Sequence, residues 1–136
     1  MEGRGGRGSV RFGFAAASQW KRVRHLLLPA IAWDGDRTEA DVVAALNDGT
    51  AQLWIGEDDE VRCGVVTCLS SVARGLVCEI WLMGGRDRRL WLHFVDIIEA
   101  AARDRGCVSI ELIGRKGWVR LLPEYRQAAV VLRKEL

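Results

Sequence analysis

One change of period constrains this chain more than any other feature. Up to Gly49 the apolar residues recur at helical spacing; from Thr50 onward they gather into β-rich runs, TAQLWIG, EVRCGVVTCLS and GLVCEIWLM, joined only by GEDDE and SSVARG. Connections that short join antiparallel neighbours, because parallel neighbours need a crossover of a dozen residues or more. A three-strand meander is therefore expected. The third run, Val77 to Met83, leads through Gly84 and Gly85 into Arg86 to Arg105, where Leu90, Phe94, Ile97 or Ile98, and Ala101 fall on one helical face. Gly106 stops that helix, and CVSIELIG supplies a further strand, Val108 to Ile113. Strand, helix and strand in that order form a crossover unit, which sets its two strands parallel. The expected class is α+β, or mixed α/β: a central mixed sheet with an antiparallel meander, a βαβ crossover and flanking helices.

Residues 1–17 read as a basic, glycine-rich tail, MEGRGGRGS, continuing into SVRFGF, whose brief alternation suits a short edge strand; residues 18–136 read as one domain. The run SQWKRVRHLLLPAIAW places Trp20, Val23, Leu27 and Ile31 at helical spacing, with Ser18 as N-cap and Pro29 expected to kink or end the helix. TEADVVAALNDG opens with Thr38 and Asp41 as a capping pair and closes on Gly49. GWVRLLPEY predicts a short helix broken near Pro123, and AAVVL, with its β-branched pair, a last strand.

Charge excludes some functions. Lys and Arg number 20 against 18 Asp and Glu, so there is no bulk attraction to nucleic acid. The excess is local: Arg4, Arg7, Arg11, Lys21, Arg22 and Arg24 face a lone Glu2, and this basic tail could meet an acidic protein partner. Cys63, Cys68, Cys78 and Cys107 form no CxxC pair and lie far from His25 and His93, so metal-ligand spacing is absent and a reducing compartment is expected. No apolar run reaches the eighteen or so residues of a membrane span, and the opening lacks the apolar core of a signal peptide, so a soluble, unexported protein is expected. The six tryptophans, Trp20, Trp33, Trp54, Trp81, Trp91 and Trp118, are core residues by default, and any that are exposed would make a contact patch for neighbouring proteins or a second copy.

The order of LWIGEDDEVRCGVVTCL, EIWLMGGRDRRLW and RGCVSIELIGRKGWVRLLPEYR resembles the GNAT N-acetyltransferase superfamily from roughly Trp20 to the C-terminus. With QLW and GRKGW about a glycine-arginine loop, it is similar in particular to the short GNAT-like proteins of phages and prophages. The resemblance implies acetyl-CoA between the fourth and fifth strands, its diphosphate on amides at the mouth of the next helix, where the helix dipole favours an anion. Gly84, Gly85, Arg86, Asp87, Arg88 and Arg89 would form the cradle, with Leu82 and Met83 lending main-chain groups. The cytoplasm or a phage virion would be its place.

Two features depart from the family pattern. Arg88, Arg89 and Leu90 stand where the family loop has small residues, and if Glu124 and Tyr125 match its Gly-Phe pair, Arg120 occupies the position of the tyrosine acid. Acetyl transfer needs a base for the amine and an acid for the thiolate. Glu79 is the candidate base, because alternation puts it on one face with Val77, Trp81 and Met83; Tyr125 is the candidate replacement for the acid. Arg115, Lys116 and Trp118 form a basic and aromatic cluster after the fifth strand. His93 has no carboxylate or cysteine at triad spacing. Two functions of different class follow: an acetyl-CoA-dependent N-acyltransferase, or a catalytically silent protein of the same fold, a phage structural or accessory component that binds its neighbours.

Overall fold

The computed structural model describes residues 9–115 and 117–136. Strands β1 (Arg11–Ala15), β2 (Ala51–Glu57), β3 (Val61–Val72), β4 (Gly75–Gly85) and β5 (Ser109–Leu112) form one sheet in that spatial order. The first four are antiparallel neighbours, and β5 runs parallel to β4, as a crossover requires. β1 lies within the stretch 1–17 and forms one edge of the sheet by pairing Arg11–Ala15 with Leu53–Glu57. The expected meander and crossover are both present.

Helices α1 (Trp20–Asp34) and α2 (Glu39–Asp48) cover one face of the sheet. The α1 stripe Trp20, Val23, Leu27 and Ile31 is buried against Leu53, Ile55, Val66 and Leu82, each side chain contributing about 1.5–3 kcal/mol of transfer free energy. Pro29 neither ends nor breaks α1, which runs five residues beyond it. Pro29 is exposed, so the carbonyl it leaves without a donor faces water, while the buried stripe holds the axis. The chain enters α1 through a 3-10 turn, Ala17–Gln19, with Gln19 at the N-cap position; Ser18 makes no capping bond. Thr38 and Asp41 do form the reciprocal capping box of α2, and Gly49, at φ 84°, ends it.

Helix α3 (Val95–Asp104) covers the opposite face, burying Val95, Ile98 and Ala102 over Trp54, Val65, Cys78 and Ile80. It is shorter than the helix expected from Arg86. Residues 88–90 and 92–94 form two 3-10 turns instead, broken at Trp91, whose φ is −138°. Trp91 leaves helical geometry to bury its indole with Cys63 and Phe94, and packing there outweighs local helix propensity. Helix α4 (Gly117–Leu121) is the short helix expected before Pro123. The expected last strand over AAVVL does not form: residues 126–136 take no helix or strand, and Val130, Val131 and Leu132 are 67 to 91% exposed. β-branched composition alone supplies no partner strand.

Candidate functional site

The β3–β4 register slips by one residue, from Val66↔Leu82 to Thr67↔Ile80, leaving Trp81 as an extra residue in β4. Such a bulge bends the strand and turns over the alternation beyond it. Trp81 and Leu82 consequently both pack on the α1 face, and Met83 turns to the α3 face. Glu79 therefore shares its face with Trp81 and not with Met83, which corrects the simple alternation read from sequence.

The same bulge marks where the sheet opens. β4 and β5 are paired through Val77↔Ser109, Cys78↔Ile110, Glu79↔Glu111 and Ile80↔Leu112, and there β5 stops. β4 continues for five more residues, Trp81–Gly85, with no strand on that side among the described residues. A slot with an unpaired main-chain edge begins at the bulge and includes Leu82 and Met83. The two strands are zipped at Glu79 and Ile110 and part beyond Ile80.

At the far end of the slot the chain folds over itself. Arg86 donates its amide to the Arg62 carbonyl at 2.9 Å, and its own carbonyl accepts the Trp91 indole Nε1–H at 2.8 Å. Asp87 adopts the left-handed conformation, φ 58° and ψ 64°, which aspartate tolerates better than most residues. The amides of Leu90, Trp91 and Phe94 are taken by the carbonyls of Asp87, Arg88 and Trp91. Those of Asp87, Arg88 and Arg89 take no backbone acceptor among the described residues. The free donors thus lie at the start of the first 3-10 turn, and not at the mouth of α3. Arg86, Arg88 and Arg89 are exposed around them, with Arg86 3.5 Å from Glu60 and Arg89 3.6 Å from Asp87.

Gly84 and Gly85 serve another purpose. A Cβ on Gly84 would stand 2.5 Å from the Leu26 carbonyl oxygen of α1, and one on Gly85 would stand 2.3 Å from the Arg62 carbonyl oxygen. Their missing side chains admit helix and strand backbone, so close packing already accounts for both glycines.

On the α1 face, Cys68, Glu79 and Glu111 stand side by side across β3, β4 and β5. The Arg37 guanidinium lies 4.2 Å over the Trp81 ring, a cation–π contact, while the Trp81 Nε1 is buried without an acceptor. Glu111 is paired with Arg74 at the exposed edge. Burial, and then the Glu79 carboxylate, push the Cys68 thiol up. Burial likewise pushes Cys63 up to about 12 and Cys78 to about 11, so neither supplies a ready thiolate.

Tyr125 is not brought to Glu79. It hangs below α3, donating its phenol O–H to Glu99 at 2.7 Å, and burial together with that carboxylate push its ionisation upward. Glu79 faces α1, so the sheet separates the two candidates. Arg120 is exposed, and His93 is exposed against the edge of Phe94. Of the six tryptophans, Trp33 alone is exposed, Trp20, Trp54 and Trp91 are buried, and Trp81 and Trp118 are half-buried. Arg4, Arg7 and Lys116 lie outside the described residues.

Trp118 is the contributor that sequence reasoning underrated. Carried by α4 beyond the end of β5, it packs on the cluster of Cys63, Trp91 and Phe94, against which Met83 of β4 also packs. Its ring thus lies beside Gly114, past the end of β5, while packing on the cluster at the end of β4. Sequence places it only in the basic and aromatic cluster after the fifth strand; the glycine four residues earlier is the further signal. A Cβ on Gly114 would lie 2.5 Å from the Trp118 Cδ1, so Gly114 seats the ring.

Comparison with known proteins gives a fold. No protein-family model and no curated protein matches the chain. Among solved structures, it is similar to a predicted acetyltransferase from Clostridium acetobutylicum crystallised with acetyl-CoA, at TM-score 0.67 and 14% identity over 93% of this chain and 95% of that one. A ribosomal-protein-alanine N-acetyltransferase from Brucella melitensis superposes at TM-score 0.64 and 13% identity, over 94% and 96% of the two chains. An aminoglycoside acetyltransferase from an uncultured soil metagenomic sample, in complex with sisomicin, gives TM-score 0.68 and 9% identity over 93% and 96%. The mixed five-stranded sheet with its flanking helices is the GNAT fold.

Proposed function

We propose that this chain takes acetyl-CoA along the open edge of β4 and acts as an N-acetyltransferase on an amine acceptor. The observation that carries the reading is the coincidence of the Trp81 bulge with the end of β5 pairing, which leaves the outer edge of a five-residue stretch of β4 without a partner strand, leading to three free amides at the first 3-10 turn. The residues present suit such a ligand. Main-chain groups of Trp81 to Gly85 would pair with its amides, and the amides of Asp87, Arg88 and Arg89, with the guanidinium groups of Arg86, Arg88 and Arg89, would hold its diphosphate. A bound acetyl-CoA would supply a thioester, an acyl group activated toward amines. Glu79, on the face where the slot begins, would take the proton of the attacking amine. Tyr125 has no part in this reading, since it lies on the far side of the sheet from Glu79 with its hydroxyl donating to Glu99.

Calorimetric titration with acetyl-CoA tests it. Micromolar binding is expected, falling at least tenfold when Arg86, Arg88 and Arg89 are replaced by alanine. Acetyl transfer to amines, including an N-terminal alanine peptide and sisomicin, should then be lost in Glu79→Gln while binding persists. Absence of heat at millimolar acetyl-CoA would overturn the proposal. It would leave a catalytically silent GNAT-fold protein that binds neighbours, a reading favoured by the Trp118 ring packed at the end of β4.

A further inference from the structure

We propose that Trp118 is a built-in occupant of the acyl-carrier slot, an affinity-determining residue that must leave before the ligand can lie along β4. The inference rests on the proposed use of that slot. Trp118 packs with the Cys63, Trp91 and Phe94 cluster at the end of β4, yet its backbone belongs to α4 on the far side of the opening. The indole therefore stands beside the route a ligand would take to the β4 edge near Met83.

The ring is held in a way that permits its departure. Trp91, in the same cluster, is 2% exposed and pinned by the bond from its Nε1 to the Arg86 carbonyl. Trp20 and Trp54 are similarly tied, to Glu39 and Thr67. Trp118 is half-buried and its indole N–H takes no acceptor among the described residues, so apolar contact alone seats it. Its helix has five residues, and among the described residues the backbone bond from α4 back to the loop before it runs from the Trp118 amide to the Arg115 carbonyl at 3.0 Å. Gly114 completes the seat: the backbone there is compatible with any L residue, but a methyl group would occupy the position of the Trp118 Cδ1. The ring is rigid and would have to move as a whole.

Two substitutions therefore empty the slot by independent routes, Trp118→Ala by removing the ring and Gly114→Ala by unseating it. When a protein's competent state is only fractionally populated, apparent affinity falls by that fraction, and emptying the slot restores it. Acetyl-CoA is titrated by calorimetry into the wild type and both variants, after urea unfolding has shown each variant folded. Acetyl-CoA binding about tenfold tighter in both variants is the expected result. Affinity unchanged or weakened in both, or tightened in one alone, overturns the gate while wild-type binding keeps the proposed function. No binding in any of the three overturns the gate and the proposed function together.

Discussion

Gly84 sits where a phosphate-binding glycine would be expected, and its replacement by alanine distinguishes that use from packing. The new Cβ would lie 2.5 Å from the Leu26 carbonyl oxygen and 3.5 Å from the Leu27 Cδ2. Ordinary non-bonded separations are roughly 1 Å longer than the first of these. The obstruction is helix backbone, which no rotamer change relieves, so α1 must retreat from the sheet. α1 brings the fully buried Val23 and Leu27 to that surface, and both would stand 3.1 Å from a Cβ added at Gly64. A gap of 0.5–1 Å forfeits about a quarter to a half of each such contact, and overpacked cores lose about 1–3 kcal/mol. Reduced freedom of the unfolded chain returns about 0.4–1 kcal/mol, leaving a net loss of about 1–2 kcal/mol. With a urea slope of about 2 kcal/mol per molar, the midpoint should fall by about 0.5–1 M. Urea unfolding followed by tryptophan fluorescence measures this without any ligand. A midpoint within about 0.2 M of wild type, with acetyl-CoA binding lost, would refute the packing argument and return Gly84 to the ligand.

Two further outcomes follow from bonds in the structure. Thr67→Val strands the buried Trp54 Nε1, which donates to the Thr67 hydroxyl at 3.0 Å; thermal unfolding should show a loss of about 1–3 kcal/mol, with Thr67→Ser near wild type, and an unchanged Tm would show the network idle. The Arg24 guanidinium, and after it the Trp20 indole N–H, lower the Glu39 carboxyl from 4.5 to about 2. The unfolded chain then binds the proton more readily, so this contribution is complete above pH 4.5 and is lost as pH falls toward 2. Tm measured across that window should fall less steeply in Glu39→Gln than in wild type, and parallel curves would contradict the assignment.

Short-range physics made much of this molecule readable in advance. The α1 stripe, the Thr38–Asp41 capping box, the stop at Gly49 and the three β-rich runs each depend on residues a few positions apart, and they formed as read. The parallel β4–β5 pair followed from the handed crossover, a rule of chain connection. Patterning of this kind was enough for the GNAT fold.

What the tertiary structure decided lies between elements distant in sequence. Whether β4 would slip past β3 at Trp81 depended on how both strands met two covering layers, and that slip moved Met83 away from Glu79. Burial of Trp91 against Cys63 shortened the helix expected from Arg86 and shifted the free amides to the first 3-10 turn. The same long-range packing left AAVVL without a partner and parted Glu79 from Tyr125 by the thickness of the sheet. Period and propensity act over one turn of helix or one strand pair, whereas a slot between two strands, and the indole packed at its end, exist only once every layer has closed.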